Sequence, residues 1–347
     1  MSVLPGGESS ASQTMFFVAV ALALGAFMVA GNTFTVVSVL VFPKLRTLPN
    51  MYVVSLATTD ALVGLLQVYV AVYYIPTVRT WFDSTEAACT SMLSWGYTTV
   101  VCSGLNMCLI AFDRYLYIAK PFFYVRVISK KRIAMVIVAA WFLAVCYGSI
   151  TMYHNLFQTA RICTIHKVVP LVLRSFSSSG LFFLCCCITA VIYAKLAALT
   201  LRHKRAIALL TASDSAFNRR PQNSHPFSKS SLRAMKLFFV VFGLLVACWS
   251  PYFTVELVSA FCDFPGYELA YKVTLFLGFF NSGINIFVYP YFDKEFRRAY
   301  RSLLCRCCDR VNTLRVKSSG PDAVLGMNLQ DGQNEEVRPP RVSMLRI

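Results

Sequence analysis

Three carboxylates stand in places where a carboxylate is costly. Asp60 lies inside a stretch of 32 residues, between Arg46 and Arg79, that holds no other charge. Asp113, followed by Arg114 and Tyr115, closes 26 uncharged residues that begin after Glu86. Glu256 closes 19 uncharged residues that begin after Lys236. A charge embedded in so long an apolar run marks a functional position by default. Around Asp60, other apolar stretches contribute Asn32, Ser103, Asn281, Ser282 and Asn285. Such a set surrounds one small cation with oxygen ligands, or a few waters. Catalysis has less to work with. Intramembrane hydrolysis wants paired aspartates, or a serine with a histidine. The four histidines, His154, His166, His203 and His225, all fall in or beside loops, without zinc spacing. The residues therefore predict binding and switching rather than an enzyme, with no cofactor beyond that cation.

The elements that position these groups follow from the charge gaps. Uncharged or nearly uncharged stretches run between Glu8 and Lys44, Arg46 and Arg79, Glu86 and Asp113, Arg132 and Arg161, Arg174 and Lys195, Lys236 and Glu256, and Lys272 and Asp293. Each meets or nearly meets the roughly 20 residues that a helix needs to cross hydrocarbon. Runs such as Phe238 to Cys248 are apolar on every side, which excludes the alternating pattern of barrel strands. The expected fold is an all-α membrane protein, a seven-transmembrane helix bundle with a short interfacial eighth helix. Composition agrees: 57% of residues are hydrophobic and 14% charged, where soluble domains carry roughly 25% charge. The net charge of +17 is confined to short segments between apolar runs, which fits a membrane surface rather than nucleic acid.

Of 33 Lys and Arg, five (Arg79, Arg161, Lys167, Arg174, Lys272) fall on the side of the N-terminus. That bias places the N-terminus outside and the C-terminus in the cytosol. The first span is expected to act as an uncleaved signal-anchor, since no basic n-region precedes it. No Asn-x-Ser/Thr sequon occurs, so no N-glycan is expected. The expected organisation is an extracellular N-terminus over 1–14 and a receptor-like bundle over 15–292. An amphipathic interfacial helix with a cysteine cluster follows over 293–308, then a disordered tail over 309–347. In the interfacial segment Phe292, Phe296, Tyr300 and Leu303 share one face, and Lys294, Arg297, Arg298 and Arg301 take the other. Cys305, Cys307 and Cys308 follow it and are expected palmitoylation sites. The longest loop, from about Thr200 to Ser231, reads as flexible and basic.

One motif falls in every span but the fifth, in order and at matching depth. They are Gly31-Asn32; Leu56-Ala57-x-x-Asp60; Asp113-Arg114-Tyr115; Trp141; Cys248-Trp249-Ser250-Pro251; and Asn281-Ser282-x-x-Asn285-x-x-x-Tyr289, with Phe296-Arg297 behind them. In these the chain resembles the rhodopsin-like (class A) G protein-coupled receptors over about residues 15–308. The resemblance implies a plasma-membrane receptor that binds an extracellular ligand and activates a heterotrimeric G protein as helix six moves around Asp113, Arg114 and Tyr115. Arrestin and a receptor kinase are further implied partners. It assigns Asp60, Ser103, Asn281, Ser282 and Asn285 to a sodium pocket, with sodium an allosteric modulator, and Trp249 to the floor of the ligand site. It pairs Cys89 with Cys163 as a disulfide, leaving Cys262 free. Tyr193 and Tyr289 become switch residues around Arg114, and Pro121-Phe122 a docking pair for the G protein.

The chain also departs from that family. Ile286 stands where the family has proline, and Pro290 follows Tyr289 instead. Cys185 replaces a helix-five proline, and Ser231 stands where rhodopsin has an acid that restrains the arginine. Gly96 occupies the place of the amine receptors' aspartate, and Phe279 that of the opsin lysine, which points away from both monoamines and retinal. The expected ligand pocket is apolar, lined by Tyr97, Val100, Trp249, Tyr252, Phe253 and Phe279, with Glu256 and Arg174 near the mouth. Gly96 either leaves room for a bulky ligand or permits close helix contact. Lipid, peptide and other small ligands all remain open. A chemosensory receptor of the same fold is the alternative. A transporter or channel would need a polar path or duplicated halves, and neither stands out.

Overall fold

The computed structural model of the chain describes residues 11–160, 162–214 and 229–305. In hydrocarbon a backbone can satisfy its N–H and C=O groups only within itself, and the apolar runs accordingly form seven long helices. Helix one is Ala11–Val41, two Leu48–Tyr73, three Glu86–Ala119 and four Lys130–Tyr153. Helix five is Ser178–Asp214, entered through a wide π-helical turn at Val172–Ser177. Helix six is Lys229–Val258 and helix seven Tyr267–Phe292. Each holds a stretch long and apolar enough to cross a membrane. Among the described residues there is no strand.

Local sequence explains several helix ends. Pro49, Pro76 and Pro121 each sit in the first turn of a helix, where a missing N–H costs nothing. Ser129 caps helix four by accepting the Arg132 N–H. Gly266, with φ +83°, makes the left-handed turn into helix seven. One expectation changes at its ends. The stretch expected as a loop from about Thr200 to Ser231 is helical up to Asp214 and again from Lys229, and residues 215–228 lie outside the described residues. Residues 200–214 contain neither Gly nor Pro and are rich in Ala, Leu, Lys and Arg, all strong helix formers. The eighth helix spans residues 294–305. Residues 11–301 belong to one compact unit and 302–305 to a second. The apolar face of residues 294–301 is not left to lipid. Phe296 stacks on Tyr289 at 5.5 Å between ring centres, and the Tyr300 hydroxyl lies 2.6 Å from Thr35 Oγ1. Arg297 donates to the last carbonyls of helix seven, at Pro290 and Tyr291. Residues 1–10, Cys307, Cys308 and the tail from 309 lie outside the described residues, as does the Ser231 side chain; Cys305 is exposed.

Helix three is the centre of the bundle, touching helices two, four, five and six. Helices one, four and five are mostly exposed on apolar faces, the pattern of a lipid-facing wall. Polar side chains tie the helices together. Trp141 Nε1 donates to Ser55 Oγ at 3.0 Å, and Ser55 donates to Asn106 Oδ1 at 2.8 Å, joining helices four, two and three. Asn32 Nδ2 donates to the Ser282 carbonyl at 3.0 Å, joining one to seven.

Small residues set the closest approaches. A Cβ on Gly148 would lie 2.6 Å from the Ser94 carbonyl and against Thr98 of helix three. Gly148→Ala is therefore expected to lower stability by about 1–3 kcal/mol through overpacking. Gly180→Ala, with nothing within 4 Å, should leave stability equal or slightly higher. Thermal unfolding of the purified chain measures both; equal stability of the two variants would refute the close helix-three contact.

Candidate functional site

The three intramembrane carboxylates lie at three depths, and each is held differently. At the inner end, Arg114 Nε donates to Asp113 Oδ2 at 2.9 Å, with Nη2 on the same oxygen. Tyr124, from the short helix Pro121–Val127, donates to Asp113 Oδ1 at 3.0 Å. Burial and the neighbouring Asp113 charge raise the Tyr124 hydroxyl above its ordinary value. The Arg114 guanidinium also lies 6.0 Å from the Phe238 ring of helix six. Tyr193 and Tyr289 are buried, and neither hydroxyl has a hydrogen-bond partner among the described residues. Tyr115 is half-buried, while Pro121 is exposed and Phe122 is 92% exposed. Tyr124 was not singled out from the sequence, because nothing in its spacing connects it to Asp113.

In the middle of the bundle Asp60 is fully buried, and Asn285 Nδ2 donates to its Oδ2 at 2.8 Å. Its other oxygen has no partner among the described residues, nor have the side-chain oxygens of Asn32, Asn281 and Asn285. Ser103, Ser282 and Trp249 line a cavity of about 20 Å³ at this level. That volume holds a single water-sized occupant. A surplus of acceptors without donors is what a hard cation or a water satisfies, so Asp60 and the asparagines fit sodium by their chemistry, although none of them lines that small cavity. Among the described residues no group of three His, Cys, Asp or Glu offers a transition-metal site.

At the outer end a cavity of about 330 Å³ opens among helices two, three, five, six and seven. Tyr97, Val100, Trp249, Tyr252, Phe253 and Phe279 all line it, as does Arg174. The Cys89–Cys163 disulfide ties the segment between helices four and five to helix three, and Thr164 to Lys167 form part of the cavity wall. Cys262 is a free, exposed thiol. Gly278 makes space for Trp249, since a Cβ there would meet the indole at 2.8 Å. Gly96 is a cavity residue rather than a helix contact: a Cβ there would meet only Leu66, at an ordinary 3.7 Å. Glu256 is a correction to the expected pocket. It is 1% exposed and does not line the cavity, because its carboxylate is turned to Arg174 Nη1 at 3.0 Å and to the Tyr267 hydroxyl at 3.2 Å. His166 and Tyr267 complete that network and were not singled out from the sequence; each lies in a different segment from Glu256.

The family described as 7 transmembrane receptor (rhodopsin family) matches residues 31–289. The 5-hydroxytryptamine receptor 4 of Rattus norvegicus is 27% identical over 306 residues, covering 81% of this chain and 73% of that receptor. The dopamine receptor 1 of Drosophila melanogaster is 26% identical over 358 residues, covering 92% and 70%. The alpha-1A adrenergic receptor of Bos taurus is 27% identical over 326 residues, covering 84% and 67%.

The outer network carries a pH signature. Burial first, and then the Arg174 charge, lower the His166 imidazole from its ordinary 6.5 to about 4. Arg174 donates to His166 Nδ1, which requires the neutral ring. The unfolded chain takes up this proton below about pH 6.5 and the folded chain does not until about pH 4. His166 thus favours the fold fully above 6.5 and progressively less as pH falls toward 4. Melting temperatures recorded from about pH 7 to about pH 4.5 should fall less steeply for His166→Asn than for the wild type. Parallel curves would show that the ring is not held neutral.

Proposed function

Because the chain belongs to the rhodopsin family of seven-transmembrane receptors, we propose that it binds an extracellular ligand in the outer cavity and activates a heterotrimeric G protein at its inner face. It is a multi-pass membrane receptor and not an enzyme. The observation that carries the mechanism is the inner pair, Asp113 with Arg114, buried against helix six through Phe238. Outward movement of helix six would uncover Arg114. Tyr193 and Tyr289, whose hydroxyls have no other partner among the described residues, would then meet it. Exposed Phe122 offers an apolar contact for the G protein. Arrestin and a receptor kinase belong to the same reading.

The ligand acts by population shift, moving the equilibrium by its differential affinity for the active arrangement. Trp249 connects the levels, since it lines both the large cavity and the small one beside Ser103 and Ser282. Asp60, Asn281, Asn285, Ser103 and Ser282 would hold sodium, which supplies positive charge to Asp60 in the resting arrangement. The orientation we propose places the N-terminus outside at the plasma membrane, supported by the Lys and Arg bias and by a disulfide on that side. The related receptors are named for amines, but Gly96 provides no carboxylate to meet one.

Ser231, at the inner start of helix six, is uncharged and offers Arg114 no acid. Ligand-free G protein activation above that of mock-transfected cells is therefore expected at matched surface expression, falling to the mock level in Arg114→Ala. A basal signal unaffected by Arg114→Ala would overturn the switch. Asp60→Asn is expected to abolish sodium sensitivity of the wild-type thermal stability. Coupling of this kind is typically about 1–3 kcal/mol, and an unchanged sodium response in the variant would exclude Asp60 as the ligand.

A further inference from the structure

Beside the outer cavity lie two hydrogen-bond donors that no group among the described residues uses. The Arg174 side chain is 10% exposed, and its Nη1 meets His166, Glu256 Oε2 and the Tyr267 hydroxyl. Its buried Nε–H has no acceptor among the described residues. Tyr97, 9% exposed, lines the same cavity, and its hydroxyl also lacks a partner there. Buried donors left unsatisfied are unfavourable, so each favours an occupant that brings an acceptor.

The charges on the wall select which acceptor. Glu256 faces away, committed to Arg174. Glu268 lines the cavity and pairs with Lys272 at 3.4 Å. Lys167 also lines it and has no ion pair among the described residues. The wall therefore offers no unpaired carboxylate for a cation and keeps one surplus positive charge. Its remaining surface is apolar, and about 330 Å³ lies at the small end of the roughly 300–1,000 Å³ range of small-molecule sites.

We infer that this cavity accepts a compact apolar molecule carrying a carboxylate, whose oxygens take the Arg174 Nε–H and the Tyr97 hydroxyl once these two side chains, whose polar atoms are turned away from the cavity, rotate toward it, and that it rejects a protonated amine. A charge-assisted bond to guanidinium is about twice as strong as a neutral one, which favours carboxylate over ester or amide. The inference rests on the receptor reading only for calling this occupant an agonist or antagonist; the binding itself does not require it.

The test uses the purified full chain and thermal stability as readout. Probes are 1-naphthylacetate and 4-phenylbutyrate, each with its methyl ester and the amine of matched skeleton. A fourth arm is an aromatic tripeptide with a free C-terminus, which presents the same carboxylate from a bulkier source. The expected result is stabilisation by at least one acid and by neither its ester nor its amine. Tyr97→Phe, which removes an unpaired hydroxyl and should fold normally, is expected to weaken the acid several-fold. Arg174→Lys retains the charge beside Glu256 but loses the Nε–H, and should weaken it about tenfold or more. Stabilisation by the amines, equal effects of acid and ester, no effect of any acid, or acid binding indifferent to both variants would each overturn the inference. Stabilisation by the tripeptide alone would overturn the compact ligand. Basal G protein activation is measured in parallel. Coupling without acid binding sinks this inference and leaves the receptor reading intact, whereas acid binding in a chain silent toward every α subunit does the reverse.

Discussion

A carboxylate inside a bilayer has no water to turn to, and the bundle is arranged around that constraint. Apolar surfaces alone do little to set helix register in lipid, because lipid tails are as apolar as leucine. Polar partners are more selective. Asp113 is satisfied by the next residue and by Tyr124 from the following loop; Asp60 takes Asn285 from helix seven. Glu256 on helix six takes Arg174 from the turn before helix five and Tyr267 from helix seven. Every one of these pairings but the adjacent Arg114 comes from another element. A slip of helix two, six or seven by a turn would break at least one of them and strand a charge, so these sites fix the relative depth of those helices.

The three sites differ in how completely they are satisfied, and that difference matters for switching. Asp113 has partners for both oxygens, and so does Glu256. Among the described residues Asp60 has one oxygen unpartnered, in company with three asparagine oxygens. The middle level is thus the least settled of the three and the one most sensitive to what else enters it. It also adjoins Trp249, whose indole borders the outer cavity. Contiguity of this kind makes coupling physically available, while coupling itself requires an element with two arrangements that both sites bias. Pro251, two residues after Trp249, removes one backbone hydrogen bond from helix six and provides a natural place for it to bend.

Much of this was legible in the residues because the membrane imposes long, simple signals. Charge gaps mark seven spans, and the polar set around Asp60 can be assembled from side chains scattered over four of them. The losses occurred where the signal is short or distant. Helix five extends past its apolar run because Arg202 to Leu210 is a good helix in water as well as in lipid, and counting charges hides that. Tyr124, His166 and Tyr267 reach these networks from separate helical segments, whose relative placement spacing does not encode. Glu256 was expected on the cavity wall because depth alone places it there. Which way a side chain turns depends on Arg174, and that depends in turn on the wide turn at Val172–Ser177. Gly96 left two readings open, and only the distance to Leu66 separates them.

The departures in helix seven show how the site tolerates a changed backbone. Ile286 places a branched side chain where the rhodopsin-like pattern has a ring, and helix one accommodates it with Gly31, where a Cβ would meet the Ile286 side chain. Pro290 removes the N–H that would pair with the Ile286 carbonyl, yet the helix runs unbroken from Tyr267 to Phe292. Arg297 then takes up the Pro290 and Tyr291 carbonyls at its end. The side chains that matter stay in place on either side of the exchange. Asn285 still reaches Asp60, and Tyr289 is still buried against Phe296. Moving the proline by four residues is slightly more than one helical turn, so the weakened backbone bond shifts along the same face. The chain has thus altered where helix seven can bend without altering which groups the bend would carry.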